Sequence, residues 1–384
     1  MPKSAGGEGG LQHSIREVAA KAGVSVGTVS NVLNRPEIVA ESTRRRVQAA
    51  IRQLGFVRNE SARQLRAGKS RTIGLLVLDV ANPFFTDLAR GVEDEANESG
   101  LAVILCNSAD QVAKERRYLE LLEEHRVQGI LITPVAAADE HVARLQRRGT
   151  PVVLVDSRSL NRGQCSVSVD DVLGGELAIA HLLEQGHRKI AFVGGPMSLR
   201  QVSDRRDGAV RALEAAGRTA ADLHVIETTA LHVAAGREAG ARVAELPADR
   251  RPTAMFCAND LLALGALQEM TSRRIRVPDS IAIVGYDDID FAAAAAVPLT
   301  SVRQPRHQLG RAAAQLLLEE ALDGGNHQHR QVIFEPELVI RDSSSTRPVE
   351  APVFGTPHPR GVPGGRPPGP APGSETGLAT EGVP

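Results

Sequence analysis

Seven short apolar runs recur between Thr72 and Asp288: TIGLLVLD, LAVILCN, GILIT, PVVLVD, KIAFVGG, TAMFCAND and IAIVGYDD, with amphipathic helical stretches between them. A strand with one wet face alternates apolar and polar residues. A run that is apolar throughout needs cover on both faces, which is the signature of a parallel sheet between helices. Strand–helix alternation sustained over about 270 residues therefore predicts a doubly wound α/β body built as two similar lobes. A chain of 384 residues exceeds what one hydrophobic core serves, so further domains are expected. After Asp342 the composition turns to Ser, Pro and Gly (GTPHPRGVPGGRPPGPAPG), and residues 344–384 read as a disordered tail, as do residues 1–13 at the start. No apolar run approaches the roughly 20 residues of a membrane helix, and the Gly-rich start has no apolar core for an export signal. Three scattered cysteines, Cys106, Cys165 and Cys257, show neither CxxC spacing nor an even framework. They argue for a reducing cytoplasm and against a structural zinc site, so no metal and no cofactor are expected.

The net charge of −1 hides a division. Met1 to Arg71 carries 13 Lys and Arg against 5 Asp and Glu, while the rest carries 32 against 41. A basic head on an acidic body implies that only the head meets a polyanion. Within that head, Ser14-Ile15-Arg16-Glu17 fits a capping box that starts a helix burying Ile15, Val18, Ala19 and Ala22. Gly23 supplies a tight turn and Ser25 can cap a second helix, with Val29, Val32 and Leu33 inward and Val26, Gly27, Ser30 and Asn31 outward. A third helix starts near Ser42, buries Val47, Ala50, Ile51 and Leu54, and stops at Gly55. An apolar side held by the bundle and short polar residues on the other are what a helix entering the major groove requires. Arg44, Arg45, Arg46 and Arg52 can neutralise phosphates, which sets register without reading sequence.

The run SIREVAAKAGVSVGTVSNVLN resembles the start of the lactose-repressor (LacI/GalR) family of regulators, matching nearly every fixed position of [ST]-I-x-[DE]-V-A-x-x-A-G-V-S-x-x-T-V-S-x-V-L-N. The resemblance implies double-stranded DNA as partner, with Val26, Gly27 and Asn31 in the base-reading positions and Ser25, Thr28, Ser30 and Asn34 around them. Arg is common in the family where Asn31 stands; Asn suits adenine and Arg suits guanine, and Gly27 has no side chain to read with. The operator sequence stays open, with a palindrome expected. NESARQLRAG at 59–68 resembles the family's hinge helix, which folds on DNA and wedges a leucine into the minor groove. Leu65 holds that position, with Arg63 and Arg66 beside it; the cost of unstacking is offset by the contacts a bend permits.

The resemblance extends to about residue 343 and, through periplasmic sugar-binding proteins, implies two Rossmann-like lobes joined by three crossover strands with a ligand between them. The domains then read as a helix-turn-helix at 14–58, a hinge at 59–70 and a two-lobed effector-binding and dimerisation body at 71–343. Ligands of such sheets bind outside the carboxyl ends of strands. Candidates stand there: Asn82, Phe84 and Phe85 after the first strand, Asp156 and Arg158 after PVVLVD, Asn259 after TAMFCA and Asp287 after IAIVGY. Arg205 and Gln304 match further ligand-contacting positions of the family. Carboxylates and amides that accept hydroxyl protons, a guanidinium fork and apolar rings suit a polyol. The residues alone leave open whether Asn82 and Asp260 merely cap helices, and whether Arg205 or Arg206 turns inward. The pair Asp-Arg usual in the family reads Asp156-Ser157-Arg158 here, which displaces Arg158, and Leu231 stands where relatives often carry an aromatic ring. The effector is expected to be a sugar, with a purine-like ring or a phosphorylated metabolite as alternatives.

No GxGxxG follows the first strand, GxxxxGK[ST] and HExxH are absent from the chain, and no GxSxG elbow stands among the strands of the α/β run, so an enzyme of the same fold class has little support. His181 and His187, near a helix end and its turn, read as structural. The Pro- and Gly-rich tail has no leucine heptads, so a homodimer rather than a coiled-coil tetramer is expected.

Overall fold

The computed structural model describes residues 13–56, 70–135, 140–161 and 163–345. The hinge residues Arg63, Leu65 and Arg66, the first twelve residues and the tail from 346 lie outside them.

The head is three helices. The first, α1 (Ile15–Ala22), opens with the expected capping box: the Ser14 amide donates to Glu17 Oε2 at 2.6 Å while the Glu17 amide donates to Ser14 Oγ. It ends where Gly23, at φ 64°, takes the left-handed conformation that glycine adopts without steric cost. The second, α2 (Val26–Asn34), is capped by Ser25, whose Oγ accepts from the Thr28 amide at 3.1 Å. The third, α3 (Glu41–Leu54), ends at a left-handed Gly55. Val18, Ala19, Val29, Val32, Val47 and Ala50 close the small core, as the periodicity requires.

In the body, β1 (Thr72–Val77), β2 (Ala102–Asn107), β3 (Ile130–Ile132), β4 (Val152–Val155), β5 (Ser166–Val169) and β11 (Gln331–Phe334) form one parallel sheet in the order β11-β5-β4-β3-β1-β2. A second sheet, in the order β12-β10-β9-β8-β6-β7, is built from β6 (Ile190–Gly194), β7 (Leu223–Glu227), β8 (Ala254–Cys257), β9 (Ala282–Asp287), β10 (Thr300–Arg303) and β12 (Glu337–Val339). It is parallel except at β12, which runs antiparallel to β10. All seven apolar runs are strands. Those with no such signal are β5, β7, β10, β11 and β12, which are short or polar; β5 is buried throughout, whereas β11 and β12 hold no fully buried residue.

Helices α4 (Pro83–Glu98), α5 (Val112–Glu124) and α6 (Glu140–Arg147) belong to the first lobe; α7 (Asp171–Glu184), α8 (Arg200–Ala215), α9 (Val233–Glu245) and α10 (Asp260–Ser272) belong to the second. A short α11 (Asp290–Ala293) follows β9, and α12 (Arg306–Asp323) returns to pack on α4. The chain thus passes between lobes three times: from β5 to α7, from β10 to α12 and from β11 to β12. The chain stays ordered beyond the expected boundary. Ser344 is fully buried, within 2.7 Å of His181 Nε2, and Ser343 Oγ donates to the Ile283 carbonyl. Composition alone placed Ser344 in the tail; these partners anchor it.

Three helix pairs meet through reciprocal glycines. A Cβ on Gly208 of α8 would lie 1.9 Å from the Val172 carbonyl oxygen, and one on Gly175 of α7 would lie 2.1 Å from that of Arg205. Gly91 and Gly310 join α4 to α12 in the same way, and Gly236 and Gly265 join α9 to α10. Backbone cannot yield as a side-chain tip does, so Gly208→Ala must force α7 and α8 apart. The expected loss is about 1–3 kcal/mol, read as a lower midpoint in urea unfolding; a variant as stable as the parent would contradict this contact.

Candidate functional site

A cleft opens at the carboxyl ends of both sheets, where strand order reverses and loops diverge. Its walls include Leu78, Asp79, Asn82, Phe84, Phe85, Asp110 and Asp156 from the first lobe. The second lobe contributes Gln201, Arg205, Leu231, His232, Asn259 and Asp287. Three of the carboxylates stand on left-handed backbone, Asp110 at φ 56°, Asp156 at 54° and Asp287 at 103°. Asp tolerates this region better than most residues, and the turn re-aims each side chain where its strand ends.

Arg205 is the cation of the cleft. It is 3% exposed; its Nε donates to Asp171 Oδ1 at 2.8 Å, its Nη1 to the Ala258 carbonyl at 2.6 Å, and its guanidinium lies 3.7 Å from the Tyr286 ring centroid. Asp287 Oδ1 lies 4.0 Å from Nη1. Burial opposes the charge, but Asp171, Tyr286, Asp287 and Asp156 outweigh it and hold the guanidinium pKa above its ordinary value. Of the two arginines the sequence left open, Arg205 turns inward; Arg206 pairs with Asp207 at the surface.

Two hydrogen bonds cross the cleft. Asn82 Nδ2 donates to Asp287 Oδ2 at 3.2 Å, and Gln201 Nε2 donates to Asp156 Oδ2 at 3.0 Å. Asn82 and Asn259 are also helix caps, accepting from the amides of Phe84 and Leu262. Asn82 thus caps a helix and lines the cleft at once, because a cap uses only the side-chain oxygen and leaves its amide nitrogen for Asp287, while the Asn259 nitrogen donates to the Leu231 carbonyl. Asp260, the other capping candidate, is no cap but accepts from Ser301 Oγ and the Ile289 amide. His232 caps α9 through Nδ1, which accepts from the Ala235 amide at 3.1 Å; a neutral ring so bonded carries its proton on Nε2.

The other expected contacts fall differently. Arg158 does not line the cleft: it pairs with Asp170 at 3.1 Å beside the β5–α7 crossover, because Ser157 has taken the place next to Asp156. Gln304 stands behind the wall, its Nε2 donating to Asp287 Oδ1 at 2.7 Å, so it orients a cleft residue. Phe84 and Phe85 do line the cleft, edge to face with centroids 5.0 Å apart. The sequence reading missed Gln201, Asp171, His232 and Tyr286. The doublet Asp170-Asp171 after a polar strand was the only signal for one of them; Asp170 caps α7 and Asp171 is left for Arg205.

In the head, Val26, Gly27 and Asn31 are exposed along α2. The flanking polar residues are partly committed within the helix: Ser25 to Thr28, and Asn34 to the Ser30 carbonyl at 2.8 Å and to Ser30 Oγ at 3.1 Å. Arg44 and Arg45 both pair with Glu41, while Arg46 and Arg52 are exposed.

Residues 14–59 match the model for bacterial regulatory proteins of the lacI family, and 179–344 match a periplasmic binding protein-like domain. The HTH-type transcriptional repressor PurR of Aliivibrio fischeri is 34% identical over 341 residues, 87% of this chain and 99% of that protein. Among solved structures, the transcriptional regulator CelR–cellobiose complex is 30% identical, covering 86% of this chain and 99% of that one with a TM-score of 0.63. The lac repressor dimer bound to operator and the anti-inducer ONPF is 26% identical with a TM-score of 0.74, over 86% of this chain and 99% of that one. The chain belongs to the lacI family: it is a DNA-binding transcriptional repressor with an effector-binding body. Among the described residues no helix is long and apolar enough to cross a membrane.

Asp156 offers a direct test of the cleft electrostatics. Burial first, then the charge of Asp171, pushes its carboxyl up to about 8, against the pull of Arg205 and the Gln201 bond. An unfolded Asp titrates at about 3.9, so between these values the native state holds the extra proton. The stability it contributes is full below about pH 4 and is lost as pH rises toward 8. Asp156→Asn should therefore gain in melting temperature relative to the parent as the ligand-free proteins are taken from about pH 5 to about pH 8. A gap that stays constant would refute the buried, proton-holding carboxyl.

Proposed function

We propose that this repressor binds a palindromic operator as a homodimer in the cytoplasm, and that a neutral sugar closing its two lobes sets its operator affinity. The observation that carries the ligand class is the charge of the cleft. Asp79, Asp110, Asp156 and Asp287 line it with Arg205, whose charge is already shared with Asp171. Asp156 Oδ1 is buried with no hydrogen-bond partner; in the proton-holding carboxyl it offers an O–H to a hydroxyl oxygen or a ring nitrogen. A phosphate would find the Arg205 guanidinium already paired with Asp171 and carboxyl groups in place of free cations on the walls, so the phosphorylated metabolite is the weakest of the three readings. A sugar presents donors all round and apolar C–H faces to Phe84, Phe85 and Leu231; the CelR relative was solved with cellobiose. A purine-like ring is the second reading, supported by the 34% identity to PurR.

Because Asn82–Asp287 and Gln201–Asp156 join the lobes, a ligand that replaces or reinforces these bonds changes the free energy of closure. It moves operator affinity only by the difference in its affinity for the open and closed states. Edge strands β2 and β7 expose Leu105 and Val225, a self-complementary apolar border suited to a two-fold partner. In the dimer, Leu65 with Arg63 and Arg66 would meet the minor groove, and Val26, Gly27 and Asn31 the major groove.

A thermal-shift screen against neutral sugars, purine bases and sugar phosphates, followed by gel shifts on the protein's own upstream DNA, tests the class. Stabilisation by sugar phosphates alone would refute the charge argument. Asp287→Ala should abolish the effector response in the gel shift, with circular dichroism and melting checking that the variant folds; a surviving response would show that the effector binds elsewhere. Leu65→Ala should weaken operator binding by about tenfold or more, as expected for a lost wedge, and leave binding to random DNA nearly unchanged. Equal losses on both would show that Leu65 makes no wedge.

A further inference from the structure

At the opposite end of the first lobe, four side chains converge from segments far apart in the chain. Cys165 lies just before β5, Glu320 is in the last turn of α12, and His327 and His329 are in the turn that leads into β11. One donor atom from each lies within 4.8 Å of every other. Cys165 Sγ is 3.2 Å from His327 Nε2 and 3.7 Å from His329 Nδ1, and His329 Nδ1 is 3.9 Å from Glu320 Oε2. Ligands around a tetrahedral zinc, at about 2.0–2.3 Å from the metal, stand roughly 3.2–3.8 Å apart. The cluster needs only to tighten by less than about 1 Å to reach that geometry.

The convergence follows from the sheet. Parallel pairing of β11 with β5 sets Gln331 beside Ser166, so Arg330 falls opposite Cys165 and its neighbour His329 is carried to the same strand end, within 3.7 Å of the sulfur. The Arg330 amide points at Cys165 Sγ at 3.4 Å, the kind of contact that supports a thiolate. His327 directs Nε2 at the sulfur while Nδ1 faces Asp323 Oδ2 at 3.8 Å, which orients the ring. Cys165 is fully buried, Glu320 is 9% exposed and the His327 side chain 5%, whereas His329 at 28% leaves a path to solvent. Thiol–imidazole hydrogen bonding would explain Cys165 and one histidine. It leaves Glu320 without an N–H or O–H donor: its Oε2 is buried and faces the cluster, with only the Cys165 thiol and His329, 3.9 Å away, beside it. A buried carboxylate oxygen of that kind calls for a cation.

We infer that Cys165, Glu320, His327 and His329 form a binding site for a divalent transition metal of the zinc class, distinct from the effector cleft. One thiolate and one carboxylate neutralise a dication, two neutral imidazoles complete four-coordination, and the sulfur selects against magnesium and calcium. Binding replaces the Cys165 thiol proton by the metal and releases that proton to solvent. The bound ion would fasten the end of α12 and the turn before β11 to β5. This is the end of the sheet at which Ser70 leads the chain into β1; Ser70 and Glu320 border the same surface hollow.

The test uses the full, untagged chain, stripped with a chelator and desalted, then given Zn2+ or Co2+. One zinc per chain should survive desalting, and cobalt should produce the intense visible bands of a tetrahedral site with a near-ultraviolet thiolate charge-transfer band. Cys165→Ser should lose the charge-transfer band, and His327→Ala, which removes a ligand, should weaken zinc retention by about tenfold or more. Circular dichroism and melting of each stripped variant check that it folds. If Cys165→Ser fails to fold, loss of zinc retention in Glu320→Gln carries the test. Stripped parent protein that retains no zinc and shows no charge-transfer band overturns the site. So does zinc held equally by the parent, His327→Ala and Glu320→Gln, which would place the ion on other histidines.

Discussion

A guanidinium buried among carboxylates is the interaction on which the effector body turns. Arg205 gives up nearly all its hydration, which is affordable only because Asp171, the Ala258 carbonyl, the Tyr286 ring and Asp287 surround it. Those partners come from α7, from the end of β8 and from β9, so one side chain ties three elements of the second lobe to the floor of the cleft. Asp287 in turn accepts from Gln304 on a crossover and from Asn82 in the first lobe. The charge network therefore reaches both lobes and one of the segments that join them.

That network rests on close backbone approach. Gly175 and Gly208 let α7 and α8 touch, which brings Arg205, about one turn before Gly208, within reach of Asp171, one turn before Gly175. A side chain at either glycine would lift the arginine away from its carboxylate. Packing and electrostatics are thus not separable here: the small residues set the distance at which the ion pair can form.

Closure of the lobes sits at the same junction. The cross-cleft bonds, the crossover residue Arg306 that donates to the Asp287 carbonyl and pairs with Asp87 of α4, and the left-handed turns at Asp156 and Asp287 all lie at the strand ends. A small ligand needs to alter only a few polar contacts there to bias two rigid lobes, since the sheets and their helices move as units. The four-ligand cluster at the far end of the first lobe lies outside this machinery and can bind independently of it.

Elements with strong local signals were legible in the sequence: the capping box at Ser14, the turn glycine Gly23, the outward face of α2 and the seven apolar strands. Each depends on residues within a few positions of one another, so periodicity and turn chemistry suffice. The cleft candidates Asn82, Asp156, Asn259 and Asp287 were legible for the same reason, because they follow recognisable strands. Arg158 and Gln304 were misplaced, since their partners Asp170 and Asp287 are chosen by the crossovers and not by their neighbours in the chain. Gln201 and His232 carried no local mark. The meeting of Cys165 with His327 and His329, more than 160 residues later, exists only because β11 pairs with β5. What the sequence determined by itself was the kind of element and the order in which elements follow; which side chains face each other was decided by strand pairing and helix contact, since these bring together residues whose separation along the chain holds no information about their distance in space.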